Sequence, residues 1–167
     1  MKRLLFCLTI VLLSSCASTP HQSVTADIER SITISWGMYS DDTNHGSNQV
    51  LNYQHDGIPG NLATISQTIG PNGQPLRAVV LGPAHLPATP VIISVLGLFE
   101  QAGPDGLIST VIATTGNEKN LADLETSRSG SVAVLEAGLV KIDQHQSRSL
   151  GFRSAEAAMT FINRHRR

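Results

Sequence analysis

The chain has two cysteines and one tryptophan in 167 residues, and aromatic side chains make up only 4% of it. Both cysteines, Cys7 and Cys16, stand in the first sixteen residues, so a scaffold stapled by disulfides is excluded. The scarcity of aromatics argues against a stacking platform for carbohydrate or single-stranded nucleic acid. Charge of one sign is lacking as well. Twelve Lys+Arg oppose thirteen Asp+Glu, a balance that does not suit broad nucleic-acid binding. The chain also has no apolar run long enough to cross a bilayer. The stretch from Leu4 to Leu13 would make a helix of roughly 15 Å, against the ~20 residues a span requires.

What is present begins at the N-terminus. Met1, Lys2 and Arg3 precede that apolar stretch, and Leu13-Ser14-Ser15-Cys16 follows it, giving the charged, apolar and small-residue regions of an export signal. The tetrapeptide resembles a lipobox. That resemblance implies acylation of the Cys16 thiol and cleavage before it, with residues 1–15 as signal peptide. No cysteine would then be free to form an intrachain disulfide. Two or three acyl chains would make a stable anchor, since each buried methylene contributes about 0.8 kcal/mol. Roughly 150 remaining residues suffice for one domain held by burial alone.

Residues 17–23 are polar and read as a tether. Beyond them Ile28, Ile32, Trp36 and Tyr39 recur at three- and four-residue steps behind Asp27, which predicts an amphipathic helix. Ile32 and Ile34 also support a competing strand over 31–35. Trp36 and Tyr39 on such a helix are candidate partner-binding residues. Residues 41–48 read as a linker, so 16–48 form an arm, 49–145 the main domain and 146–167 a C-terminal tail.

Within the main domain, strands are expected at 49–55, 76–81 and 90–96, although 91–99 also suits a buried helix. Helices are expected at 61–69 and 104–115, each followed by glycine. The flanks of Ser127-Arg128-Ser129-Gly130 read as a hairpin, with a further strand at 139–142. A last helix starts at Ser154, which can cap it. The fold class is α+β, a small mixed sheet flanked by two helices, with an N-terminal amphipathic helix and a C-terminal helical tail.

Residues 49–142 resemble the DotD family, lipoproteins of type IVB secretion and conjugation systems. The resemblance rests on Asp56-Gly57-Ile58-Pro59 before a helix carrying Leu62, Ile65 and Ile69. It continues in Val80-Leu81-Gly82, Pro90-Val91-Ile92-Ile93-Ser94 and Leu139-Val140-Lys141-Ile142. It implies a secretin N0-like fold, an outer-membrane position facing the periplasm, and no catalysis. The implied partners are membrane lipid through acylated Cys16, a secretin-like outer-membrane channel protein and other core-complex lipoproteins, without direct nucleic-acid binding.

No chemistry stands out beside Cys16. The histidines His21, His45, His55, His85, His145 and His165 include no pair at the short helical spacing of a zinc site, so no metal or cofactor is expected. No serine lies in a Gly-x-Ser-x-Gly elbow. Asp41-Asp42 and Asp123 with Glu125 are the close acidic pairs, and solvated surface explains them. Arg164-His165-Arg166-Arg167 suits a helix C-terminus. The competing class is a lipid-tethered periplasmic enzyme or small-ligand-binding protein, with a pocket built from residues distant in sequence.

Overall fold

The computed structural model describes residues 23–34, 39–40, 57–142 and 147–167. In chain order the elements are β1 (Val24–Ile34), β2 (Tyr39–Ser40), β3 (Ile58–Ile65), β4 (Arg77–Leu81), β5 (Pro90–Gly103) and β6 (Gly106–Thr114). Then come α1 (Leu121–Ser127), α2 (Ser131–Ile142), β7 (Arg148–Ser154) and α3 (Ala155–Arg164). The mixed α+β class is as expected.

The strands run in the order β2-β1-β3-β4-β6-β5-β7, and β1 also pairs with β5. That extra pairing closes β1, β3, β4, β6 and β5 into a barrel. All its pairings are antiparallel except β4 with β6. A closed five-stranded Greek-key barrel is the architecture of the OB-fold. Closure removes free edges from these five strands, leaving β2 and β7 as short outer additions.

Two apolar layers hold the barrel. The inner one collects Val24, Ala26 and Ile28 of β1, Ala63 and Ile65 of β3, Ala78 and Val80 of β4, Val111 and Ala113 of β6, with Ala158 and Ile162 of α3 packed against them. The outer one joins Val79 and Leu81 of β4, Leu96 and Phe99 of β5 and Ile112 of β6 to Leu124 of α1 and Val134, Leu135 and Leu139 of α2. Strand β4 therefore buries both faces, and Ala78-Val79-Val80-Leu81 is apolar throughout for that reason.

Two bulges set which side chains point inward. In β1 the pairing with β3 shifts between Ile28 and Arg30. Ile28 belongs to the inner layer, but Ile32 and Ile34 belong to the outer one. An inserted residue reverses the alternation in this way. Ser31 is thereby turned inward, directly across from Asn61 of β3. The same device between Val95 and Gly97 resets the alternation of β5, so that Leu98 joins Ile93 in the inner layer while Leu96 and Phe99 face the outer one. Gly57 makes the entry into β3, with φ +82° and only 2.6 Å between an added Cβ and the Ile34 carbonyl oxygen, a position that excludes any side chain.

Several expected elements are replaced. The amphipathic helix on Ile28 and Ile32 is strand β1, because the bulge puts apolar residues four apart within a strand. The helix at 61–69 is largely strand β3, and that at 104–115 is β6, whose Val111, Ile112 and Ala113 lie together because both faces are covered. The buried-helix option for 91–99 gives way to the longer strand β5. In the other direction, the expected hairpin strands and the strand at 139–142 are α1 and α2, joined at Gly130 with φ +82°. Buried Val134, Leu135, Gly138 and Leu139 follow helical spacing.

The strands at 76–81 and 90–96 and the last helix form as expected, and Ser154 Oγ accepts from the Ala157 N–H as the cap. The described residues of the expected tail are joined to the sheet. Strand β7 pairs with β5, the His165 carbonyl accepts from Ile69 N–H at 2.8 Å, and Arg167 N–H donates to the Gln67 carbonyl at 3.0 Å. The expected strand at 49–55 and linker at 41–48 lie outside the described residues.

Candidate functional site

Polar side chains inside an aliphatic barrel are costly unless they are hydrogen-bonded. The barrel holds one such group at its β1–β3–β4 end, around Asn61, which is fully buried. Its alternation with Ala63 and Ile65 directs it inward. All four of its hydrogen-bonding positions are used. Nδ2 donates to the carbonyls of Val80 at 3.3 Å and Pro83 at 3.0 Å, while Oδ1 accepts the His85 backbone N–H at 3.0 Å. Ser31 Oγ lies 3.0 Å from Asn61 Oδ1 and 3.2 Å from the His85 carbonyl, so its single proton is shared between them.

These bonds fasten the loop between β4 and β5, residues 82–89, onto the barrel. Its far end is tied to β1, with Ala88 N–H donating to the Ile28 carbonyl at 2.7 Å and Ile28 N–H donating to the Thr89 carbonyl at 3.1 Å. Ala88 is held at φ +60°, a conformation that costs an alanine free energy and persists where neighbouring contacts enforce it. Leu86 projects outward from this loop and is 79% exposed. The His85 side chain has the opposite disposition. Both of its backbone polar groups are held, yet its Nε2 is enclosed with no hydrogen-bond partner among the described residues.

Other polar clusters have structural explanations. Glu125, expected on a strand with Asp123, lies on α1, where its carboxylate accepts the backbone N–H groups of Val132 at 3.0 Å and Gly130 at 2.6 Å. Those two bonds, Val132 first and then Gly130, hold its pKa below the ordinary carboxylate range; burial opposes them less strongly, and Ser131 adds the smallest effect, a lowering one. It serves as a cap for α2 supplied from the preceding helix. Asp123 Oδ2 accepts from Lys119 N–H. Gln101 is buried beneath α2 and donates to Ser147 Oγ at 2.8 Å. On the opposite face of β5, Arg153 Nε and Glu100 Oε2 pair at 2.9 Å. His165 Nδ1 lies 2.9 Å from the Phe161 carbonyl at the end of α3.

Of the sites expected from sequence, Cys16 and Trp36 lie outside the described residues. Tyr39 lies in β2, opposite Ile34, and the helical face that would have joined it to Trp36 does not form on β1. Among the histidines, only His85 and His165 are described. The Asn61 cluster was missed because its signal, a β1 bulge that brings Ser31 opposite Asn61, is invisible before the pairing is known. Among the described residues no three His, Cys, Asp or Glu side chains come together in a way that could hold a metal ion, and no helix is long and apolar enough to cross a membrane.

With the barrel and its polar end established, comparison supplies the class. No protein-family model matches the sequence, and no curated protein matches it. Solved structures do match. An inorganic pyrophosphatase from Coxiella burnetii aligns with a TM-score of 0.61 at 17% identity, covering 84% of this chain and 91% of that one. The inorganic pyrophosphatase of Thermus thermophilus aligns at 0.57 and 20% identity, over 86% and 89%. That of T. brucei brucei aligns at 0.62 and 18% identity, over 95% of this chain and 56% of the other. The chain has the inorganic pyrophosphatase fold; at these identities the likeness establishes fold.

These neighbours correct the DotD resemblance. The patterned aliphatics it relied on belong to a barrel, so the secretin N0-like fold is withdrawn. The structural role in a type IVB secretion or conjugation complex goes with it, as do the channel-protein and core-complex lipoprotein partners and the lipid-anchored outer-membrane placement. The expectation of no catalysis is corrected too, because the proteins that share this fold are named as enzymes.

Proposed function

We propose that the chain acts on a small phosphate-containing molecule, with hydrolysis of a phosphoanhydride such as pyrophosphate as its reaction. The observation that carries this reading is the likeness to inorganic pyrophosphatases over most of both chains. Phosphoryl transfer asks mainly that a protein position the substrate and neutralise charge developing on its oxygens. Divalent cations often do the neutralising. The described residues do not fit a cation cluster, since they bring no suitable group of carboxylates or imidazoles together. What the chain's described residues offer is hydrogen-bond donors on a rigid barrel.

The test is orthophosphate release from pyrophosphate by the purified full chain, with and without magnesium, alongside the shift of its melting temperature by pyrophosphate. Release proportional to protein concentration supports the reading. A thermal shift without release would reduce it to ligand recognition, and the lack of both would overturn it. Acylation is a separate proposal, resting on the sequence of residues 1–16 alone: the Cys16 thiol carries the lipid. Metabolic labelling with a radioactive fatty acid should mark the full chain and not Cys16→Ser, and equal labelling of the two, or of neither, would remove this proposal.

A further inference from the structure

We infer that His85 is the ligand-reading residue of the barrel's polar end, and that its Nε2–H donates a hydrogen bond to an oxygen of a bound phosphate group. Ser31 and Asn61 act as its positioning residues. The inference rests on the phosphate reading above for the class of ligand, and on the geometry of the loop for the residue.

The loop is built around His85. Asn61 Oδ1 takes its N–H and Ser31 Oγ reaches its carbonyl, so side chains from two neighbouring strands fix the backbone of this one residue on both sides. Asn61 also holds the carbonyl of Pro83, two residues earlier. A buried asparagine with every hydrogen-bonding position filled leaves little freedom to the segment it holds. The backbone of His85 is thus fixed while the Nε2 of its ring stays without a partner among the described residues.

The ring nitrogen supplies the second observation. Enclosed Nε2 has no partner among the described residues, and a buried polar atom without one is unfavourable. The His85 residue as a whole is only half-buried. Binding in the proposed mode requires a change of side-chain rotamer that brings Nε2 to the surface, where an oxygen acceptor can meet it. Relief of the unpaired state adds to the bond gained, so the free protein is biased toward accepting an oxygen ligand. The groups that surround the residue in this cluster are neutral, namely Ser31, Asn61 and backbone carbonyls, so no fixed carboxylate in the cluster repels an anion.

The test uses the full chain with two probes, inorganic phosphate and pyrophosphate. Nitrogen-15 spectra of the histidine side chains, with His85 assigned through His85→Gln, should show its Nε2 resonance moving on addition of pyrophosphate while that of His165 stays in place. His85→Ala should weaken pyrophosphate binding about tenfold, as expected for one hydrogen bond to a charged group, and His85→Gln should recover part of that loss. Ser31→Ala, which removes a single bond to the loop, should weaken binding less and broaden the His85 resonance. If pyrophosphate binds but the His85 resonance and the His85→Ala affinity are unchanged, the inference is overturned while the phosphate reading stands. If neither probe binds, both fall. If the Nε2 resonance responds only to bulk water exchange and to neither probe, an ordered water occupies the position and the inference is overturned.

Discussion

Asn61 shows how one polar residue is tolerated in an aliphatic interior, and what that tolerance accomplishes. Its amide replaces, for a loop that forms no ladder, the bonds that a strand would have supplied. Asn61→Ala should lower stability by about 3 kcal/mol, because it strands the His85 N–H and the Pro83 carbonyl as well as removing the bonds themselves. The midpoint of urea unfolding measures this, and a loss under about 0.5 kcal/mol would mean that water replaces the amide. Glu125 makes a prediction in pH. Its pKa is lowered in the folded state by the Val132 and Gly130 N–H groups, so its contribution is present above the unfolded carboxyl pKa and disappears as pH falls through the lower folded value. Glu125→Gln should therefore lose stability near neutrality relative to the native chain, and the two should converge in acid. Parallel unfolding curves against pH would show it. Neither role could be read from sequence, since Asn61 and Glu125 carry no local pattern and their partners are fixed by the fold.

At the scale of elements, the last helix was legible and the first strand was not. Ser154, Glu156 and Arg164 are local signals of a helix's two ends, and the structure uses the first as a cap and keeps the charges where the dipole favours them. Ser154→Ala should destabilise the protein by about 1 kcal/mol, seen as a lower urea midpoint with unchanged slope. An unchanged midpoint would mean that the pairing of β7 with β5 alone fixes the start of α3. Strand β1 hides itself. Its bulge breaks the alternation after Ile28, so Ile28 and Ile32 stand at a helical interval although both belong to a strand. Strand β6 misleads differently, since burial on both faces at Val111, Ile112 and Ala113 removes alternation altogether. The pair α1 and α2 inverts the error: Val132 and Val134 suggest a strand, but burial of Val134, Leu135, Gly138 and Leu139 follows the helix they cover the barrel with. Strands β4 and β5 were found because continuous apolar runs between prolines and glycines leave fewer alternatives.

For the whole molecule, closure depends on the two ends of the described chain. Strand β1 joins β3 to β5, and α3 fills the inner layer with Ala158 and Ile162. A fragment of residues 49–145, the main domain expected from sequence, lacks β1, β7 and α3. It should show no cooperative unfolding transition by circular dichroism, whereas the full chain should, and a cooperative fragment would mean that the barrel closes without β1. Barrel closure is long-range by nature, which is why separate patterns along the chain pointed to an arm, a core and a tail where one sheet exists. The meeting of the ends has another consequence. Thr25 accepts from Ser66, and Gln67, the next residue, accepts from Arg167, so the described chain starts and finishes on neighbouring threads. A short linker from Arg167 to Ser23 should permit circular permutation, with new termini opened at the exposed Pro104-Asp105 turn, since order of synthesis is then irrelevant to which strands meet.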